Sequence, residues 1–233
     1  MKSPRLLFSN QAAGHGLRLL TSCSNLIWMV LVAALLLPGC SPQIYSNLNH
    51  KQLTLSSDRL KVEGIAFITP STVTGQEEEK QAVAFVFAAA LKEERPDLTI
   101  LSLPETLSAI NKAGLAQDYE LMYRDYKDTG VFKRNILQKI SAATNTRYLA
   151  QLKLAGFNQG GTSRLGVFGL RLVETRRATL RLFFQIWDAE NGEIAWEALQ
   201  ELNWSEEMVS EDIVTLQMIM AQAAKNIGAR LPI

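Results

Sequence analysis

Residues 177–204 read RATLRLFFQIWDAENGEIAWEALQELNW. In Arg177–Trp187, Ala178, Leu180, Leu182, Phe184 and Ile186 alternate with Arg177, Thr179, Arg181 and Gln185. In Glu193–Trp204, Trp196, Ala198, Leu202 and Trp204 all fall at even positions. A period of two is the pattern of a strand with one buried face. Glu190-Asn191-Gly192 between the two runs closes them into an antiparallel hairpin. Bringing even positions opposite even positions needs an even register sum, which a three-residue loop with Gly192 at positive φ supplies. That register sets Ile186 opposite Trp196, Gln185 opposite Glu197, and Arg181 opposite Glu201. The last is a cross-strand ion pair on the wetter face.

Working outward, Arg147–Gly156 shows the same alternation, and the next twenty residues, 157–176, carry Gly160, Gly161, Gly166 and Gly169. Toward the N-terminus, Leu60–Thr69 is rich in β-branched and aromatic residues and stops at Pro70, as a buried strand does. Thr74-Gly75-Gln76-Glu77 fits a capping box, and Val83, Val86, Phe87, Ala90 and Leu91 follow at helical spacing. No polar residue interrupts 82–91, so that helix is expected to be almost wholly buried. Leu98–Leu101 reads as a short strand, and Ser102-Leu103-Pro104-Glu105 as a second capping box opening a helix that stops near Gly114. Helices are expected over 116–127 and 131–144. A closing helix carries Ile213, Leu216, Met220, Ala223 and Ile227 as its seam, a helix packed on the sheet rather than a coiled coil. The fold class is therefore α/β (α+β): a mixed β-sheet with a C-terminal antiparallel hairpin, covered by helices and closed by a C-terminal helix.

The 233 residues are 47% hydrophobic and 20% charged, a globular composition with one expected domain. A formal charge of +1 gives no chain-wide basic field, which argues against a nucleic-acid binder that works by neutralising phosphates. The first 25 residues hold Lys2, Arg5 and Arg18 and no acid, and they precede an apolar run from Leu26 to Leu37. A basic segment before an apolar one has the form of a signal peptide. The run is twelve residues, short of the roughly 20 that a membrane-spanning helix needs. Leu37-Pro38-Gly39-Cys40 resembles the bacterial lipobox. That resemblance implies cleavage before Cys40, fatty acylation (palmitate) of Cys40, and, with Ser41 following, the periplasmic face of the outer membrane. Removal of Lys2, Arg5 and Arg18 leaves 21 basic against 23 acidic residues, a mature charge of −2. The expected organisation is a signal peptide at 1–39, a flexible polar tether at 40–58 and a single periplasmic domain at 59–233.

A second resemblance rests on element order. It joins a lipobox, a first strand ending in Pro, a helix-rich middle, Arg147-Tyr148-Leu149-Ala150 opening a strand, and the hairpin signature Phe183-Phe184-Gln185-Ile186-Trp187-Asp188 with Gly192-Glu193-Ile194 and Trp196. Over about 60–231 this order is similar to the CsgG-like group of envelope lipoproteins. That group includes the curli-secretion lipoprotein, activators of penicillin-binding proteins and the N-terminal domain of the Tol translocation protein. The group carries no shared catalytic residues. The resemblance implies an envelope module that works through protein contacts; the rival is an oligomeric secretion or transport component using 157–176 at the membrane.

Enzymatic alternatives lack parts. After processing, His50 is the one histidine and no free cysteine is left, so His-dependent triads, thiol catalysis and His-ligated metal sites fail. No phosphate-binding glycine motif occurs, and no cofactor is expected. Glu77–Glu79, Glu206 with Glu207, and Glu211 with Asp212 all fall at expected helix starts, where they compensate the dipole. Arg164, Arg171, Arg176, Arg177 and Arg181 form the one basic cluster. The first four are candidate partner or lipid contacts, while a solvated face paired with Glu197 and Glu201 is the plainer account. Tyr119, Tyr123 and Tyr126 share one helical face, which is more often core than a partner patch. The expected partners are a membrane through the lipid, an envelope protein and, on the transport reading, further copies of the chain.

Overall fold

The computed structural model describes residues 42–72, 77–167, 170–208 and 214–232, with side chains at 42–71, 80–161, 175–206 and 214–232. The alternating stretch forms β6 (Leu170–Asp188) and β7 (Glu193–Met208), with Ile186 opposite Trp196, Gln185 opposite Glu197 and Arg181 opposite Glu201. The turn differs from expectation by one residue. Asp188 pairs with Glu193, so 189–192 make the turn, Gly192 sits at φ 77°, and a register shift after Ile186 restores the even sum. The extra residue has a use: Ala195 and Trp196 both reach one core, while Ile194 joins Trp187 in another. The Ala195 carbonyl also accepts hydrogen bonds from the Leu53, Thr54 and Leu55 amides at 3.0, 3.1 and 3.1 Å.

The remaining elements are β1 (Gln43–Gln52), α1 (Ser57–Glu63), β2 (Ile65–Phe67), β3 (Ser71–Thr72), α2 (Glu77–Glu94), β4 (Ile100–Leu101), α3 (Leu103–Lys112), α4 (Ala116–Thr129), α5 (Arg134–Thr144), β5 (Tyr148–Val167) and α6 (Leu216–Gly228). One seven-stranded sheet runs β1-β7-β6-β5-β2-β4, with β3 beside β5. β2 is parallel to β4 and to β5, whereas β5, β6, β7 and β1 alternate in direction. The mixed sheet, the hairpin and the closing helix are as expected from the sequence.

Each face of the sheet has its own core. Under α2 and α6, Phe67, Phe87, Phe184 and Trp196 form an aromatic chain, with ring centroids 6.0, 5.2 and 5.9 Å apart in that order. All four are fully buried, and each such side chain contributes about 1.5–3 kcal/mol through burial. On the other face Met122, Phe132, Ile136, Leu137 and Ile140 of the α4–α5 layer pack on Leu149 and Trp187. That second layer ends partway across. Further toward β1 the same face shows Asn49, Lys51, Arg181 and Asn203 to solvent, with Phe183 and Leu199 half-buried.

Four expectations change. Gln43–Gln52, placed by sequence in the 40–58 tether, is strand β1, paired with β7 from Gln43–Ser205 to Gln52–Trp196. An edge strand exposed on its outer side carries polar residues at nearly every position, which masks the period of two. The strand expected over 60–69 is shortened to Ile65–Phe67, because Ser57–Glu63 is a helix stopped by Gly64 at φ 68°. Helix α2 buries Val83, Phe87 and Leu91 but leaves Phe85 64% exposed. Glu206 and Glu207, expected at a helix start, lie in strand β7, and the segment of the transport reading, 157–176, continues β5 to Val167 and β6 from Leu170 as paired strands. The expected signal peptide, Cys40 and the 74–77 capping box lie outside the fully described residues. The Ser102 capping box is present, with the Ser102 N–H and Oγ both donating to Glu105 Oε2 at 2.7 and 2.6 Å.

Candidate functional site

The basic cluster lies along the arm that β5 and β6 make beyond the body of the sheet. Arg171 pairs with Gly166, Arg176 with Gly161 and Arg177 with Gly160, while Arg164 falls at a register shift between Ser163 and Leu165. The side chains of Arg164 and Arg171 lie outside those described. Arg176 is half-buried and Arg177 exposed. Together with Gln159, Gly160, Gly161 and Val214 they line a cleft of about 190 Å³ at the arm's base. Gln159 closes one side by donating from Nε2 to the Val214 carbonyl at 2.5 Å, tying the arm to the segment before α6. A Cβ on Gly160 would meet nothing within 4 Å, so space lies open beside Arg177. A positive cleft with open room suits an anion with several acceptor oxygens.

The plainer account holds for the rest of the cluster. Arg181 pairs with Glu201 at 3.4 Å, both well exposed, whereas Glu197 accepts from Gln185 at 3.4 Å. Across the sheet, Arg147 grips Asp188 through two bonds of 3.0 and 2.8 Å. The Asp188 carboxylate also takes the Glu190 N–H at 2.9 Å. Hydrogen bonding to Asp188, its charge and that of Glu190 raise the Arg147 pKa above its ordinary value. This ion pair fixes the hairpin turn. The tyrosine stripe is half-buried and packs against the α4–α5 core: Tyr119 OH accepts the Thr69 N–H at 2.8 Å, and Tyr123 OH donates to the Thr69 carbonyl at 2.6 Å. Burial first, then the neighbouring Tyr119, pushes the Tyr123 hydroxyl well above its ordinary pKa.

Two features went unread in the sequence. One is the set of glycines opposite arginines, whose signal is visible only once the β5–β6 register is known. The other is an apolar cavity of about 520 Å³ between α2 and α3, lined by Gln81, Ala82, Phe85, Leu103, Pro104, Leu107 and Ser108. α2 follows β3 and α3 follows β4, and the two helices pack into different cores. Among the described residues the cavity lining carries no titratable side chain. Among the described residues no group of three or more His, Cys, Asp or Glu could hold a metal ion, and no helix is long and apolar enough to cross a membrane.

Fold and site together define a mixed α/β domain with a basic cleft at the root of a β-arm. No protein-family model matches the chain, and no curated protein matches it. Among solved structures it is similar to the PelC dodecamer from Paraburkholderia phytofirmans, at 11% identity over 78% of this chain and 94% of that one, with a TM-score of 0.43. It is also similar to lipoprotein GNA1162 from Neisseria meningitidis, at 13% identity over 71% and 97%, TM-score 0.36. A third likeness is to the C-terminal domain of LpoB from Salmonella enterica, at 14% identity over 60% and 82%, TM-score 0.34.

Proposed function

We propose that this protein is a lipid-anchored envelope lipoprotein, fixed through Cys40 to the periplasmic face of the outer membrane, and that it acts there as a non-catalytic binding and assembly module. The observation that carries this reading is the helix-free part of the sheet. Phe183 and Leu199 lie half-buried at its middle among Asn49, Lys51, Gln185 and Glu197, around a hollow of about 250 Å³. An apolar centre with a polar and charged rim is the composition of a protein-contact surface. Five of the described acids are engaged in structure: Asp188 with Arg147, Asp97 with Arg95, Asp118 with Lys139, Asp125 with Lys133 and Glu105 with Ser102. The CsgG-like resemblance of the sequence agrees with such a role. The transport reading, an oligomer using 157–176 at the membrane, draws on the continuation of β5 and β6 as paired strands through that segment.

The test is a photocrosslinking amino acid at Leu199, in wild type and in Cys40→Ala, expressed in a Gram-negative host. Wild type is expected to lose residues 1–39, gain acyl chains, fractionate with the outer membrane and crosslink to an envelope protein. Cys40→Ala is expected to lose the membrane fraction. An unmodified Cys40 refutes the anchor, and an anchored protein with no adduct from Leu199 refutes this face as the contact.

A further inference from the structure

One cross-strand row of the sheet contains Gln43 of β1, Ser205 of β7, Arg177 of β6 and Gly160 of β5. β1 ends at that row, where we set the root of the arm, while β7 stays paired with β6 as far as Met208 opposite Glu174. β5 runs seven residues beyond the row, from Gly160 to Val167, before β6 returns from Leu170, which is about 23 Å at 3.3 Å per residue. Cys40 precedes Gln43 by three residues, a link that spans at most about 11 Å when fully extended. With the tether replaced by β1, a lipid on Cys40 would hold the Gln43 row within about 11 Å of the lipidated residue, less than the length of the strands that extend from the same end.

The cleft at that root has the chemistry for a headgroup surface. We propose, on the lipid-anchored reading given above, that the Arg176–Arg177 cleft docks on phospholipid headgroup phosphates of the leaflet that holds Cys40, and so fixes the tilt of the domain on the membrane. An arginine fork matches phosphate oxygens in two-point contact. Adjacent on β6, the two arginines leave opposite faces of the strand, and a glycine lies opposite each: Gly160 faces Arg177 and Gly161 faces Arg176. The acid on the neighbouring strand is Glu206, opposite Arg176 and held by Trp204 Nε1 at 3.2 Å, whereas Arg177 has Ser205 as its β7 neighbour. Arg177 is therefore the residue that addresses the surface. Arg164 and Arg171 belong to the same two strands, farther from the row.

The test uses the full chain isolated from host membranes and placed in vesicles of phosphatidylethanolamine with phosphatidylglycerol. Once Cys40 is acylated and Cys23 is lost with the signal, an introduced cysteine is the single thiol. A nitroxide is placed at Asn158→Cys, exposed near the arm's root, or at Val62→Cys, 82% exposed and beyond the opposite end of β1. The Asn158 label is expected to lose collisions with a water-soluble nickel chelate while the Val62 label keeps them. Arg177→Glu is expected to return the Asn158 label to the Val62 value, and Arg177→Lys to retain most of the protection. Equal accessibility at the two positions in wild type overturns the proposal, as does protection that survives Arg177→Glu. If intact mass shows no acyl chains, the anchor fails separately. The same labels on a Cys23→Ser, Cys40→Ser chain mixed with the vesicles then still decide whether the cleft meets headgroups, protection at Asn158 supporting it and none overturning it.

Discussion

Arg95 offers the sharpest test of how the C-terminus is held. Its guanidinium, 9% exposed, pairs with Asp97 through Nε–Oδ1 and Nη2–Oδ2 bonds of 2.8 Å each. It also donates to the carbonyls of Gly228, Leu231 and Pro232 at 3.4, 3.4 and 3.1 Å, where α6 ends. Asp97 is about a third exposed, so the ion pair itself contributes about 1 kcal/mol. The long carbonyl bonds add about 1 kcal/mol together, and the buried stem of the arginine a similar amount. Arg95→Ala is therefore expected to cost about 2–4 kcal/mol, read as a lower urea midpoint at unchanged slope. The arginine, by hydrogen bond first and charge next, holds the Asp97 pKa at about 2, below its ordinary 3.8. A folded pKa below the unfolded one means stabilisation that is complete above 3.8 and drains as pH falls toward 2. The gap between wild type and Arg95→Ala should therefore be wider near neutrality than at about pH 3. Arg95→Met, which keeps the stem, should recover about 1 kcal/mol at both. A gap that does not change with pH refutes the carboxylate's part in the clamp.

Gly192→Ala forces a Cβ to 2.8 Å from Arg134 Cβ at φ 77°. The expected loss is about 1–3 kcal/mol in thermal or urea unfolding, and a loss under half of that contradicts the turn geometry. Arg181→Ala removes an exposed pair and should change stability by less than about 1 kcal/mol, with that change shrinking in high salt. Tyr119→Phe deletes the acceptor for the Thr69 N–H and should cost about 1–2 kcal/mol. Hydrogen exchange at the Thr69 amide should speed up in that variant and stay slow at Ile68, which donates to the Ala150 carbonyl.

The hairpin was legible because both of its physical determinants are local. Side-chain alternation fixes the faces, and Glu190-Asn191-Gly192 fixes the return, so three cross-strand pairs could be named from the sequence. The one-residue difference in the turn arises from a non-local demand, since Ala195 must present its carbonyl to the amides of residues 53–55. The capping box at Ser102 was legible for the same local reason, and Glu105, lowered in pKa by its bonds to Ser102, behaves as a capping carboxylate does. Strand β1 was illegible because Ile44, Tyr45 and Leu48 are outnumbered by polar residues in QIYSNLNHKQ; its pairing comes from β7. Gln200, fully buried on the core side of β7, donates to Ser46 Oγ and the Asn47 carbonyl at 3.0 and 3.1 Å, and Asn226 of α6 reaches the same Ser46. Polar residues that look like linker in one dimension are the ones that hold this strand in three. The arm escaped for a different reason: four glycines in 157–176 read as loop when no partner strand is in view.

The position of β1 also decides how a load on the N-terminus would be carried. On the lipid-anchored reading, tension enters at Gln43 and runs along β1 in the plane of the sheet. The ten residue pairs from Gln43–Ser205 to Gln52–Trp196 then resist together in shear, instead of opening one after another from an end. The three amide bonds to the Ala195 carbonyl fasten the far end of the same strand, next to the bulge that the sequence spends on Trp196. A flexible tether would have let the domain tumble at the end of its lipid, with the arginine cleft meeting the surface only by chance encounter. On the same reading, a strand built into the sheet shortens the link between lipid and cleft to three residues, so less of the energy of a few arginine–phosphate contacts is spent on ordering a linker.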